Sequence, residues 1–199
     1  STKKDGLFYL LFETVCISIV GTGIGALLAV PFAFCGTRRF APAPVCACFR
    51  LLVIAIRSIP FLIYGLIFIR VSGPGAFTGV LTLAMCSIGL LTKRFSECLD
   101  MLDPGPYRAL TAMGVSPLAA IRHAVLPQIA PAFGSAVLYR FDVNIREASV
   151  LGLVGAGGIG APLIFAMNKY DWSKAGAILL GLILLVWIVD VVSGKLAET

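Results

Sequence analysis

Apolar residues run through this chain in stretches of membrane length, and one long polar segment interrupts them. The stretches lie near 7–34, 45–71, 76–92, 129–150 and 175–192. Each reaches or approaches the roughly 20 helical residues needed to cross a hydrocarbon layer of about 30 Å. The pattern therefore predicts about five spans within one transmembrane domain over 1–199. The interruption, 104–124, is built differently. Pro104 and Pro106 bar a preceding helix from continuing, and Asp103 is placed to cap a new one. Ala109, Leu110 and Met113 offer apolar contacts, and Gly114-Val115-Ser116-Pro117 divides the segment in two. Two short helices at the membrane surface, open to a soluble partner, fit this pattern. A plain cytoplasmic loop is the simpler alternative.

Composition excludes the soluble reading. Of 199 residues, 59% are hydrophobic and 13% charged, about half the charged share usual for a soluble domain. The fold class expected is all-α, a polytopic transmembrane helical bundle. A net charge of +6 raises the question of nucleic acid, but the basic residues form no stripe and have no aromatic platform. They stand at segment ends and at a few positions inside the spans, where topology and anionic lipid explain them better.

Arg38, Arg39, Lys93, Arg94, Arg108, Arg122 and Lys195 fall on one side, assigned to the cytoplasm. Lys3, Lys4, Arg70, Lys169 and Lys174 fall on the other. An odd number of spans leaves two lysines at an outer N-terminus, a difficulty that a preceding helix would remove. The expected location is a membrane crossed several times, with the first of these sides in the cytoplasm.

Several spans hold polar groups that lipid tolerates only for a reason. Arg57, Ser58 and Pro60 interrupt the second. Arg57, with Ser58 beside it, either lines a route for an anion or snorkels to the headgroups. The fourth carries Arg140, Asp142, Asn144, Arg146 and Glu147. Arg140 with Asn144, and Asp142 with Arg146, are four apart and can share helix faces, with Glu147 as a further partner. These charges hold helices together, line a substrate path, or meet water at an interface. Arg140 and Arg146 are expected to face inward, away from lipid.

Gly155-Ala156-Gly157-Gly158-Ile159-Gly160 invites comparison with nucleotide loops, but no βαβ context precedes it and no Lys-Ser/Thr follows. Gly155, Gly157, Gly158 and Gly160 instead predict a sharp turn or close helix packing. His123 is the only histidine, and Cys46-Ala47-Cys48 lacks zinc-knuckle spacing and a matching pair. No metal site is expected, and the cysteines read as small buried thiols.

Arg108-Ala109-Leu110-Thr111-Ala112-Met113-Gly114, followed by Ile121 and Leu126-Pro127, resembles the Glu-Ala-Ala, three residues, Gly pattern of membrane subunits of binding-protein-dependent ABC importers. An arginine, Arg108, stands where that pattern is usually acidic. The chain most resembles the phosphonate-import permeases. Arg57-Ser58-Ile59-Pro60, the run Val71 to Leu81, and Asp103-Pro104-Gly105-Pro106 carry that likeness. The most specific part is the run from Leu138 through Arg140, Asp142, Asn144, Arg146 and Glu147 to Gly160. The resemblance covers the chain from Glu13 onward.

It implies the type I, MetI-like importer permease fold, and a transport subunit without a catalytic site. Arg108, Ala109, Leu110, Met113, Gly114, Val115 and Ser116 would form a coupling helix docked in a cleft of an ATPase. That ATPase, a separate subunit, would hold ATP and Mg. The implied partners are a second permease chain, identical or paralogous, two cytoplasmic ABC ATPase subunits, and a periplasmic or lipid-anchored phosphonate-binding protein. The function implied is phosphonate import. The alternatives are phosphate, phosphite or another small solute, and, from a different class, an ATP-independent channel subunit.

Overall fold

Backbone chemistry decides where the helices of this chain stop. The computed structural model describes residues 6–38 and 40–197; Lys3, Lys4 and Arg39 of the charge bias lie outside the described residues. In chain order the helices are α1 (Leu7–Gly36), α2 (Ala43–Ser58), α3 (Phe61–Ser72), α4 (Ala76–Asp100) and α5 (Gly105–Ala112). They continue as α6 (Pro117–Ala120), a π turn (Ile121–Val125), α7 (Leu126–Leu153), α8 (Gly160–Asn168) and α9 (Trp172–Ala197). No strand occurs among the described residues.

The stretch expected as one helix over 45–71 is two. Pro60 forces the residue before it out of the helical region, and Ile59 takes φ −93° and ψ 122°. α2 and α3 consequently meet at 87°. Pro127 acts more gently. Its ring would meet the carbonyl of His123, four residues back, and the chain widens there. The Leu126 N–H reaches the Ile121 carbonyl, five residues back. The π turn thus joins α6 to α7 without breaking the run.

α1, at 30 residues, lies along α4 at the centre of the bundle with α7. The approach is close because Gly25 faces Ser87: a Cβ on Gly25 would stand 2.4 Å from the Ser87 Cβ. Lipid supplies no hydrophobic drive between helices, so contacts of this small-residue kind hold them together. One core joins Ala29 and Ala33 of α1 to Leu91, Phe95 and Leu99 of α4 and to Ile129 of α7. Another joins Ile17, Leu83, Ala148 and Leu151 toward the other end. α9 presents Leu180, Ile183, Leu184 and Trp187 outward, a surface suited to lipid.

α1, α4 and α9 are each long and apolar enough to span a membrane, and α2 with α3 makes a fourth as a bent pair. α7 is 28 residues long and carries Arg140, Asp142, Arg146 and Glu147. How those charges are matched decides how it sits in lipid.

Candidate translocation cavity and coupling segment

Arg140 and Glu147 are two helical turns apart and share a face of α7. The Glu147 carboxylate takes both arms of the guanidinium, Nη2 at 2.8 Å and Nη1 at 3.3 Å. Arg140 is 3% exposed, and a cation so buried requires partners for its donors. Its Nε donates to Ser87 Oγ on α4 at 3.1 Å. Asn144 Nδ2 donates to the same oxygen at 2.9 Å and to Thr22 Oγ1 on α1 at 2.6 Å. Three helices thus meet in one polar knot, which the close approach at Gly25 makes possible.

The direct Arg140–Asn144 pairing expected from spacing does not form. Both side chains donate to Ser87 instead, and the fork of Arg140 goes to Glu147, because a carboxylate accepts two parallel N–H groups and an amide oxygen does not match that geometry. Ser87 and Thr22 escape a reading that follows only charges and glycines. Their signal is nonetheless present: Thr14, Ser18 and Thr22 repeat every fourth residue within an apolar helix. Each donates to the carbonyl four residues back, and Thr14 Oγ1 also accepts the Ile159 N–H at 3.1 Å.

Asp142 and Arg146 do pair across one turn. Arg146 is not inward-facing, however, with 53% of its side chain exposed. Positions six apart stand about 120° apart around a helix, so Arg140 and Arg146 cannot share one buried face.

Arg57 and Arg140, 83 residues apart in the sequence, line the same space. A cavity of about 710 Å³ and a neighbouring one of about 210 Å³ both include Arg57, Arg140 and Glu147 in their walls. The larger adds Lys93, Arg94 and Glu97 from α4. Four cationic side chains therefore face two carboxylates. Glu97 is shared by Lys93 at 3.6 Å and Arg94 at 3.8 Å, and Arg140 is matched by Glu147. Arg57 has no ion pair or hydrogen bond among the described residues. It sits in the last turn of α2, where the carbonyl end of the helix favours a cation. Ser58, expected beside it on the path, lines neither cavity and donates to the Ile54 carbonyl at 2.8 Å.

The polar segment forms a surface element. α5 contains no buried residue; Arg108 and Ala109 are exposed and Leu110 half-buried. Met113 is 71% and Leu118 79% exposed. Tyr107 tethers α5 to the bundle, edge-on to Phe40 with ring centres 6.5 Å apart. Asp103 Oδ1 accepts the Gly105 N–H at 2.9 Å at the helix start. At its end Gly114 takes φ +79°. The Val115 N–H then bonds the Leu110 carbonyl at 3.2 Å and the Gly114 N–H the Thr111 carbonyl at 3.1 Å, a Schellman closure. Ser116 Oγ opens α6 by accepting the Ala119 N–H at 3.4 Å.

α7 closes in the same way, with the Ala156 N–H on the Leu151 carbonyl at 3.1 Å. Gly155, Gly157 and Gly158 take φ of +98°, +83° and +74°. Gly160 passes Ser149 so closely that a Cβ would lie 2.3 Å from its carbonyl oxygen. The Gly155 carbonyl accepts the Gly75 N–H at 3.0 Å, which ties this turn to the one before α4. Among the cysteines, Cys46 is buried and its thiol donates to the Gly36 carbonyl at 2.7 Å. Cys48, expected to be buried, is exposed, since two helical steps turn a side chain by about 200°. Among the described residues no three His, Cys, Asp or Glu side chains group as metal ligands would.

The family model described as "Binding-protein-dependent transport system inner membrane component" matches residues 21–197. The phosphite transport system permease protein PtxC of Stutzerimonas stutzeri is 40% identical over 189 residues, covering 94% of this chain and 69% of that protein. The phosphate-import permease protein PhnE of Mycolicibacterium smegmatis is 35% identical over 189 residues, covering 94% of this chain but only 36% of that longer protein. Among solved structures, a chain of the MetNI methionine ABC transporter in inward-facing conformations matches with a TM-score of 0.85. The overlap covers 100% of this chain and 98% of that one at 20% identity. At that identity the likeness is one of fold: an all-α, polytopic importer-permease bundle.

Proposed function

We propose that this chain, which belongs to the family of binding-protein-dependent transport system inner membrane components, passes an oxyanion of phosphorus through the membrane as the permease subunit of an ATP-driven importer. Phosphonate, phosphite and phosphate all fall in this class. Relatives whose names specify phosphite and phosphate support the whole class in preference to phosphonate alone. The observation that carries the reading is the cavity in which Arg57, Lys93, Arg94 and Arg140 face only Glu97 and Glu147. An anion crossing a low-dielectric layer needs compensating charge along its way, and Arg57, unpaired among the described residues, can supply it.

The exposed α5–α6 element is the coupling segment in this reading. Closure of two ATPase subunits, which hold ATP and Mg, pushes on Ala109, Leu110 and Met113. The rigid turn at Gly114, Val115 and Ser116 passes the push into the π turn and α7. Arg108, where relatives of this type usually carry an acid, calls for an acidic partner group in the ATPase cleft. The bundle then switches between two arrangements that partner binding biases. Spans near α1, α2–α3, α4, α7 and α9, a second permease chain, and a periplasmic or lipid-anchored binding protein complete the assembly.

Calorimetric titration of the binding protein that serves this permease decides the substrate class. Phosphite, phosphate, methylphosphonate, sulfate and an amino acid are the ligands to compare. Tight binding of at least one phosphorus oxyanion is expected. A protein that prefers the amino acid and ignores all three phosphorus compounds would refute the reading.

A further inference from the structure

We propose that Glu147 is a built-in counter-anion, and that the transported oxyanion takes its place on the fork of Arg140 in passing. The proposal rests on the reading above for the identity of the anion, though not for the exchange itself. The fork is held from behind. Arg140 Nε is fixed on Ser87 Oγ, and Ser87 is itself bonded by Asn144, which reaches Thr22 on α1. Departure of Glu147 therefore leaves Nη1 and Nη2 aimed where they are now. Two oxygens of a tetrahedral phosphorus oxyanion match that fork as the two of a carboxylate do.

Glu147 is the movable partner. Its side chain is 19% exposed against 4% for Arg140, and it lines both cavities. Its hydrogen bonds among the described residues go to Arg140 alone. Arg57 borders the same two cavities without a partner among the described residues, so a displaced carboxylate has a second cation to turn to. The exchange never leaves the buried guanidinium bare, which would be strongly unfavourable. It also sets a low net affinity, since each arriving anion must displace a carboxylate. A route needs that weakness, because a substrate held tightly would not leave. The Asp142–Arg146 pair has no such character, since neither residue lines either cavity.

The test uses the permease–ATPase complex in phosphatidylcholine nanodiscs, without binding protein, and titrates inorganic phosphite and sulfate. Glu147→Gln is expected to bind phosphite about tenfold or more tightly than wild type, the scale of one close charge coupling removed as a competitor. Adding Arg140→Lys abolishes that gain, and Arg146→Lys does not. In the wild-type complex, which requires no variant to fold, phosphite-induced infrared difference spectra show a carboxylate band moving. Equal affinity for both anions in wild type and Glu147→Gln, or an unmoved carboxylate band, overturns the proposal. So does a band that moves on exchange of phosphatidylcholine for phosphatidylglycerol but not on adding phosphite, which assigns the fork to a lipid phosphate. Tightening for sulfate but not phosphite upholds the exchange and refutes phosphorus as the cargo. Phosphite uptake by a complex whose affinity Glu147→Gln leaves unchanged does the reverse.

Discussion

The Tyr64 hydroxyl donates to the Ile56 carbonyl at 3.0 Å, across the corner between α3 and α2. In an unbroken helix that carbonyl would accept the N–H of residue 60, but residue 60 is a proline and has none. Lipid offers no replacement donor, and broken helices in membranes survive only when the freed groups are satisfied from within. Tyr64 makes the corner at Pro60 affordable.

Tyr64→Phe should therefore destabilise the protein by about 1–2 kcal/mol, the cost of an unsatisfied, part-buried acceptor. Thermal unfolding in detergent measures it. Pro60→Ala, which restores a backbone donor, should reduce the penalty of Tyr64→Phe. Equal penalties in both backgrounds would show that the two groups are not linked.

Gly25→Val should separate α1 from α4, because its Cβ would enter 2.4 Å from that of Ser87. Overpacking of this kind costs roughly 1–3 kcal/mol, and here it also disturbs the Arg140–Asn144 knot. A lower melting temperature and reduced uptake are expected. Gly23→Val is the control, since a Cβ at Gly23 meets nothing within 4 Å. Similar losses in both variants would remove the packing argument.

Some helix stops were legible in the sequence, because they depend on single residues; others were not, and α4, expected to end near 92, runs to Asp100. Gly114 and Pro117 mark the break between α5 and α6, and Gly155 ends α7, through local backbone geometry alone. The 87° corner at Pro60 was not legible, since a proline in an apolar run permits either a kink or a break, and Tyr64 helps to settle which. The charged face of α7 was visible as a set of residues but not as a set of pairs. Whether Arg140 meets Asn144 or Glu147 depends on Ser87, which a neighbouring helix supplies. Lys93 and Arg94 read as topology markers at the end of a span. Only the packing of α4 beside α2 and α7 brings them to the cavity of Arg57.

Ala109→Asp and Gly114→Pro should leave the protein in the membrane and uncouple uptake from ATP hydrolysis. The first places a charge on an exposed apolar contact of α5. The second cannot adopt the φ of +79° that Gly114 holds, and it removes the N–H bonded to Thr111. Uptake and hydrolysis measured on the same reconstituted complex check this. Normal uptake in Ala109→Asp would remove the coupling assignment.

Arg57→Ala should lower the rate of oxyanion uptake without altering complex yield or the affinity of the binding protein. The side chain is an exposed cation at the cavity wall, unpaired among the described residues, so its loss weakens a transient, charge-assisted contact. Initial rates over a full concentration series supply the readout. Unchanged rates would assign Arg57 to helix-end electrostatics or packing.

The most direct measurement is uptake of radiolabelled phosphite, phosphate and methylphosphonate into proteoliposomes holding this chain with its ATPase and binding protein. The predicted result is accumulation of at least one of them above its external concentration, requiring ATP inside and the binding protein outside, with no accumulation of a labelled amino acid. Flux of all solutes down their gradients without ATP, or accumulation of the amino acid alone, would contradict the account.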